Sequence, residues 1–184
     1  MNEQRNKILL QLARKAIQNK LEKGEFEEIN IDNLDISDSV KSLLREKNGV
    51  FITIRKKGEL RGCIGTISED ELWRQVQKYA VFSAFNDPRF EPIKPDELPE
   101  ISIEISLIKD IEDVRDISEI KLGENGVILD LKGRGGVLLP DVVAEFGLKT
   151  PEEFLDMLCK KIGVPAGSWR KGIIKKFSAE KIVE

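Results

Sequence analysis

Two eight-residue stretches of this chain align with one another, and each has the grammar of a β-hairpin. Asn48-Gly49-Val50-Phe51-Ile52-Thr53-Ile54-Arg55, with Gly58 after it, aligns without gaps on Asn125-Gly126-Val127-Ile128-Leu129-Asp130-Leu131-Lys132, with Gly135 after it. Asn-Gly followed by β-branched and aromatic residues reads as a turn entering a strand. A second strand follows in each half, Leu60 to Ile67 and Val137 to Leu139, and then a helical pattern. Turn chemistry common to any two hairpins accounts for the match as well as a duplicated β-β-α unit does. On the second account the chain has two similar halves, and the seam between them is where a cleft forms.

The other elements follow from periodicity. Ile8, Leu9, Leu12, Ala13, Ala16, Ile17 and Leu21 recur at helical spacing up to Gly24. Residues 25–38 read as a loop packed on the body, and Ser39 to Glu46 as a short helix. Ser68 with Glu71 reads as a capping box for a helix burying Leu72, Val76, Tyr79, Ala80 and either Phe82 or Ser83. Ile101, Ile103, Ile105 and Leu107 alternate with polar residues as a half-buried strand. The second hairpin is joined by Lys132 to Gly136. A short helix through Val142, Val143 and Phe146 follows Pro140. Thr150, Pro151 and Glu153 open a further helix, and Ile173 to Val183 reads as a last strand. The fold class expected is α+β, with antiparallel sheets and flanking helices.

Composition removes whole chemistries. The chain has 184 residues, 2 Cys and no His. Ser-His-Asp and Cys-His catalysis, HExxH proteases and ordinary zinc sites are therefore excluded, and no metal site is expected. Proton transfer falls to Asp, Glu, Lys, Tyr or Cys. A net charge of -3 argues against a nucleic-acid binder working by bulk electrostatics. No apolar run approaches the ~20 residues of a membrane span, the start does not read as a secretory signal, and two cysteines make no disulfide framework. The expectation is a cytoplasmic protein with no membrane. High Lys, Glu and Ile usage hints at a heat-adapted source.

The richest segment is Leu60-Arg61-Gly62-Cys63-Ile64-Gly65-Thr66. Strict alternation puts Arg61, Cys63 and Gly65 on one face, so the guanidinium lies beside the thiol and favours its thiolate. Gly62 and Gly65 weaken a strand unless something approaches the backbone closely. Against this, Cys is commonly a small buried hydrophobe and the glycines allow twist. Asn86-Asp87-Pro88-Arg89-Phe90-Glu91-Pro92 is a stiff loop that presents Arg89 to a carboxylate or phosphate. It is equally a connection pinned by an Asp87–Arg89 pair and a buried Phe90. Glu104, between Ser102 and Ser106 on the polar face of its strand, becomes a general base only if that face lines a cleft with Arg61 or Arg89. Lys132 to Gly136, Arg55 to Lys57, and the lysines of the last strand read as turns and solvated edges. Cys159 reads as core.

Leu60 to Thr66 closely resembles the hallmark of the AMMECR-type domain family. The likeness continues through Asp87-Pro88-Arg89-Phe90, Ile103-Glu104-Ile105-Ser106, Gly135-Gly136-Val137-Leu138-Leu139-Pro140, Glu152 to Leu155, Cys159 and Trp169. It covers nearly the whole chain. Asn125 is a departure, at a place where many relatives carry a histidine, and argues against any mechanism that needs an imidazole there. The resemblance implies one domain over 1–184, made of two α/β subdomains, the larger from both chain ends and the smaller inserted. It implies no reaction and names no cofactor. It implies family interest in Arg61, Gly62, Cys63, Ile64, Gly65, Thr66, Asp87, Arg89 and Glu104. It also implies companions, a Memo-like protein and a radical S-adenosylmethionine enzyme, with an RNA-related role as a further association.

The expected function is binding of a small anionic or nucleotide-like ligand in an inter-subdomain cleft. Arg61, Gly62, Gly65, Thr66, Asp87 and Arg89 would bind it, with Cys63 as nucleophile or redox thiol and Glu104 as acid/base. The alternative is a non-catalytic module for the companion proteins or RNA. Paired glycines around Arg61 and Cys63 favour the ligand.

Overall fold

A computed structural model describes residues 2–184. The chain divides into two compact units, Met1–Leu107 with Glu180–Glu184, and Ile108–Ala179.

In the first unit, α1 (Asn2–Lys23) buries Ile8, Leu9, Leu12, Ala13, Ala16 and Ile17, the stripe that its spacing predicts. Gly24, at φ +80, ends it with an N–H bond of 3.0 Å to the Lys20 carbonyl, the left-handed stop that glycine makes at little steric cost. After a loop and α2 (Asp38–Leu44), β1 (Lys47–Lys56) and β2 (Glu59–Glu71) form the first hairpin. Lys57 and Gly58 close it with φ of 53 and 87, as a two-residue hairpin turn requires. β3 (Ile101–Asp113) pairs antiparallel with the other side of β1, so the order here is β2-β1-β3. Ile52, Ile54, Ile103 and Ile105 are fully buried in one core with α1 and with α3 (Leu72–Phe85).

Ser83 is a polar pin in that core. Its hydroxyl donates to the Ile52 carbonyl at 2.8 Å and accepts the Ile64 N–H at 2.9 Å, so α3 is hydrogen-bonded to both strands of the hairpin. Phe82, the alternative at this turn of the helix, is exposed. The capping box expected at Ser68 does not form. β2 continues to Glu71, with Lys47 opposite Glu71 and Asn48 opposite Asp70, and α3 starts at Leu72 without a side-chain cap. Strand pairing takes up Glu71, which would have completed the cap, and the Leu72 N–H is taken by the Glu46 carbonyl at 2.9 Å.

In the second unit, β4 (Gly126–Leu131), β5 (Arg134–Leu138) and β6 (Ile173–Val183) are ordered β6-β4-β5. α4 (Val142–Phe146) and α5 (Pro151–Lys161) follow the hairpin. Val127, Leu129, Phe154, Leu155, Leu158, Cys159 and Trp169 make its core. Thr150 caps α5 as its sequence predicts, accepting the Glu153 N–H at 3.2 Å. The hairpin turn is shorter than the expected five residues. Lys132 and Gly133, at φ of 48 and 99, close it, and Arg134 to Gly136 are already strand. Both hairpins thus turn on Lys-Gly, but the equivalent glycines are Gly58 and Gly133, because β1 carries two more residues before its turn. Among the described residues no helix is long and apolar enough to cross a membrane.

Replacing Ser83 with Ala strands the Ile64 N–H in the core. Urea denaturation of Ser83→Ala is expected to show a loss of ~1–3 kcal/mol, the cost of an unsatisfied buried donor.

Candidate functional site

All eight candidate residues lie in the first unit. The register puts Cys63, Thr53 and Glu104 opposite one another across β2, β1 and β3, so they form one row on the face away from the helices. Thr53 is buried and its hydroxyl donates to the Cys63 sulfur at 3.3 Å. The thiol is half-buried, whereas that of Cys159 is fully buried. Thr53 is a residue that sequence reasoning passed over. Its signal was there: it is the one polar residue in the run Val50 to Ile54.

Arg61 does not follow the alternation of its strand. Ile54 pairs with Gly62 and Arg55 with Leu60, so Arg61 is an extra, bulged residue. Its guanidinium meets Glu97 in a bidentate pair, Nε to Oε1 and Nη2 to Oε2, both at 3.0 Å. Its Nη1 is buried and has no hydrogen-bond partner among the described residues. Glu97 also accepts from Lys56 at 3.0 Å and from the Lys94 N–H at 3.0 Å. The Arg61 bonds outweigh the opposing effect of burial. With help from Lys94 and Lys56 they pull the Glu97 pKa from 4.5 to about 2. No local pattern flagged Glu97, because the group it serves is 36 residues away.

The loop after α3 closes on the edge of β2. Asp87 is buried and accepts the Cys63 N–H at 2.8 Å, while Arg89 donates to the Cys63 carbonyl at 3.3 Å. The two side chains satisfy both backbone groups of Cys63, as a neighbouring strand would. They also bond each other, Arg89 Nε and Nη2 to the two Asp87 oxygens at 2.9 and 2.7 Å. Burial pushes the Asp87 carboxyl up, but the Arg89 side chain and the N–H groups of Cys63 and Arg89 together hold it below its usual value. The internal Asp87–Arg89 pair weighed in the sequence is therefore present. The Phe90 ring lies 5.5 Å from the Arg89 guanidinium and 5.9 Å from that of Arg61.

Glu104 is held by Arg55 and by Lys181, each at 2.9 Å. Thr66 accepts the Ser68 N–H at 3.0 Å through its hydroxyl, a local turn contact. The glycines have packing reasons. A Cβ on Gly62 would lie 2.1 Å from the Ser83 carbonyl oxygen, and one on Gly65 would lie 2.4 Å from the Phe51 ring. The structure therefore unites Cys63, Asp87 and Arg89 directly, adds Arg61 through Phe90, sets Glu104 beyond Thr53, and leaves Thr66 in its own turn. Among the described residues no group of three or more Cys, Asp or Glu could hold a metal ion.

Antiparallel strands in the order β2-β1-β3 with α1 and α3, and a second hairpin-and-helix unit inserted before the final residues, make this an α+β protein. The AMMECR1 family model matches residues 10–182, and the chain belongs to that family. It is 36% identical to a Methanothermobacter thermautotrophicus protein over 86% of this chain and 82% of the relative. It is 37% identical to a Thermotoga maritima protein over 77% and 80%, so thermophilic homologues accompany the composition noted above. A crystal structure of an uncharacterised Pyrococcus horikoshii protein matches it with a TM-score of 0.83 and 32% identity, covering 97% of this chain and 90% of that one.

A carboxylate with a depressed pKa stabilises the fold above its ordinary pKa and loses that contribution as pH falls through its folded value. Glu97 therefore contributes fully above about pH 4.5 and progressively less down to about 2. In acid titrations of stability, Glu97→Gln is expected to flatten the decline across that window, and an unchanged profile would show that Glu97 does not supply it.

Proposed function

We propose that the first unit binds a small anionic or nucleotide-like ligand at the cluster around Cys63, with Arg61 and Arg89 as its anchors. One observation carries the reading: the Arg89 guanidinium is half-exposed on the loop that closes on Cys63, with the Arg61 guanidinium near the same Phe90 ring. Guanidinium groups gathered at one place attract an anion. Arg89 supplies the accessible guanidinium, its side chain 51% exposed, in a geometry suited to a carboxylate or phosphate. Arg61 Nη1 is a buried donor with no acceptor among the described residues. Phe90 offers its ring as a stacking face for a base. Gly62, Gly65 and Thr66 shape the strand, and Asp87 holds Arg89 in place. Cys63, hydrogen-bonded by Thr53, is the nucleophile or redox thiol of this site, and Glu104 its acid/base group.

Inorganic phosphate and adenosine monophosphate are the probes. Calorimetric titration should show salt-sensitive binding, and Arg89→Lys, which keeps the charge but loses the fork, should weaken it about tenfold, ~1.4 kcal/mol. Saturating phosphate should slow alkylation of Cys63 by iodoacetamide. Absence of binding by both anions, or equal binding by Arg89→Lys, overturns the proposal. That result would leave the alternative, a non-catalytic module for a partner such as the Memo-like or radical S-adenosylmethionine companion, or for RNA. The packing of Gly62 and Gly65 against Ser83 and Phe51 favours that alternative.

A further inference from the structure

A second feature of the first unit lies outside the Cys63 cluster. α1 and the chain's last residues run side by side: Arg5 is ion-paired with Glu180 and Arg14 with Glu184. Nine helical residues advance ~13.5 Å and four strand residues ~13 Å, so the two segments keep step and run in the same direction. Between them is a groove of about 980 Å³, lined on the helix by residues from Glu3 to Gln18 and on the strand by Lys181 to Glu184.

The groove follows a strand edge. Ile182 is buried in the core with α1, whereas Lys181 reaches Glu104 on the opposite face. A channel touching both of these neighbours has to run along the side of the strand. On one side, Glu184 donates its N–H to the Ile103 carbonyl of β3 at 3.2 Å. On the other, β4 accompanies β6 only as far as Phe177, opposite Gly126. Past that point the flank of β6 borders the groove. The other two sheet edges are closed differently: Asp87 and Arg89 cap β2 at Cys63, and Lys161 donates to the Val137 carbonyl of β5 at 2.7 Å. Along this edge the lining offers apolar surface, with Leu10 on the helix and Val183, 56% exposed, on the strand.

We infer that this groove takes an extended acidic segment of a partner protein, which adds as a strand beside Ile182 and Val183 under α1. Strand addition draws affinity from main-chain bonds and specificity from alternate side chains. The length fits: the α1 lining, from Glu3 to Gln18, spans ~22 Å, room for six or seven extended residues. The charge fits as well. Arg14 and Lys181 are paired with Glu184 and Glu104, and of the other charged residues in the lining Lys7 and Lys15 outnumber Glu3, which selects acidic side chains. The same lysines oppose pairing with a second copy of this edge, since like charges would meet.

The probe is a fluorescein-labelled decapeptide of alternating Val and Glu, followed by anisotropy against the full chain. It is expected to bind, whereas a Val-Lys decapeptide and a version N-methylated at alternate residues bind at least tenfold more weakly. Lys7→Glu/Lys15→Glu, on the exposed side of α1, should weaken binding at least tenfold with the circular dichroism spectrum unchanged. Lys23→Glu, outside the groove, should leave it unaltered. The inference is overturned if the Val-Glu peptide does not bind, if N-methylation or the double charge reversal leaves its affinity unchanged, or if oligouridylate competes for the groove more tightly than the peptide. Sedimentation showing a dimer that the double reversal dissociates would assign the edge to a second copy, and overturns it equally.

Discussion

The buried carboxylate of Asp87 is the interaction on which the candidate site rests. β2 ends the strand order of the first unit, and an end strand leaves backbone groups exposed to whatever approaches. Asp87 takes the N–H of Cys63, Arg89 takes its carbonyl, and the two side chains neutralise each other while doing so. The edge is closed without a further strand, and the thiol is left half-buried, with the Thr53 hydroxyl donating to it. A buried charge is tolerated because it is paired and fully hydrogen-bonded. The prolines on either side of Arg89 and Phe90 limit the freedom that this closure costs.

A second pin works on the other face of the hairpin. Ser83 reaches from α3 to both β1 and β2, and Gly62 is glycine because the Ser83 carbonyl occupies the space of a Cβ. The strand that carries Cys63 is therefore fixed by a helix on one face and by a loop along its edge. Such a scaffold holds a reactive or ligand-binding group in a defined position, which suits the anion site proposed for it. It is also what a purely architectural strand would need, and this is why the exposed Arg89 guanidinium, rather than the glycines, carries the functional argument.

Much of the fold was legible because burial leaves a local record. The period of α1, the alternation of Ile101 to Leu107 and the first hairpin appear where their patterns place them, and the second hairpin does so with a shorter turn. What was not legible came from contacts distant in sequence. The bulge at Arg61 shifts the register by one residue, which turned an expected partner of Cys63 into a partner of Glu97. Ser68 and Glu71 have the spacing of a cap, yet pairing of Glu71 with Lys47 and of Asp70 with Asn48 keeps the segment in β2. The role of Thr53 could have been found by counting faces on β1. That of Glu97 could not, since only tertiary packing brings it to Arg61.

The most direct test of this account is amide hydrogen exchange at Cys63. If Asp87 and Arg89 close the edge of β2, that amide is protected like those of the sheet interior. Asp87→Ala should then release it to fast exchange while the Ile52 amide, on the neighbouring strand, stays protected. A Cys63 amide that exchanges as fast as an open strand edge in the unaltered protein, or one that ignores the loss of Asp87, would contradict it.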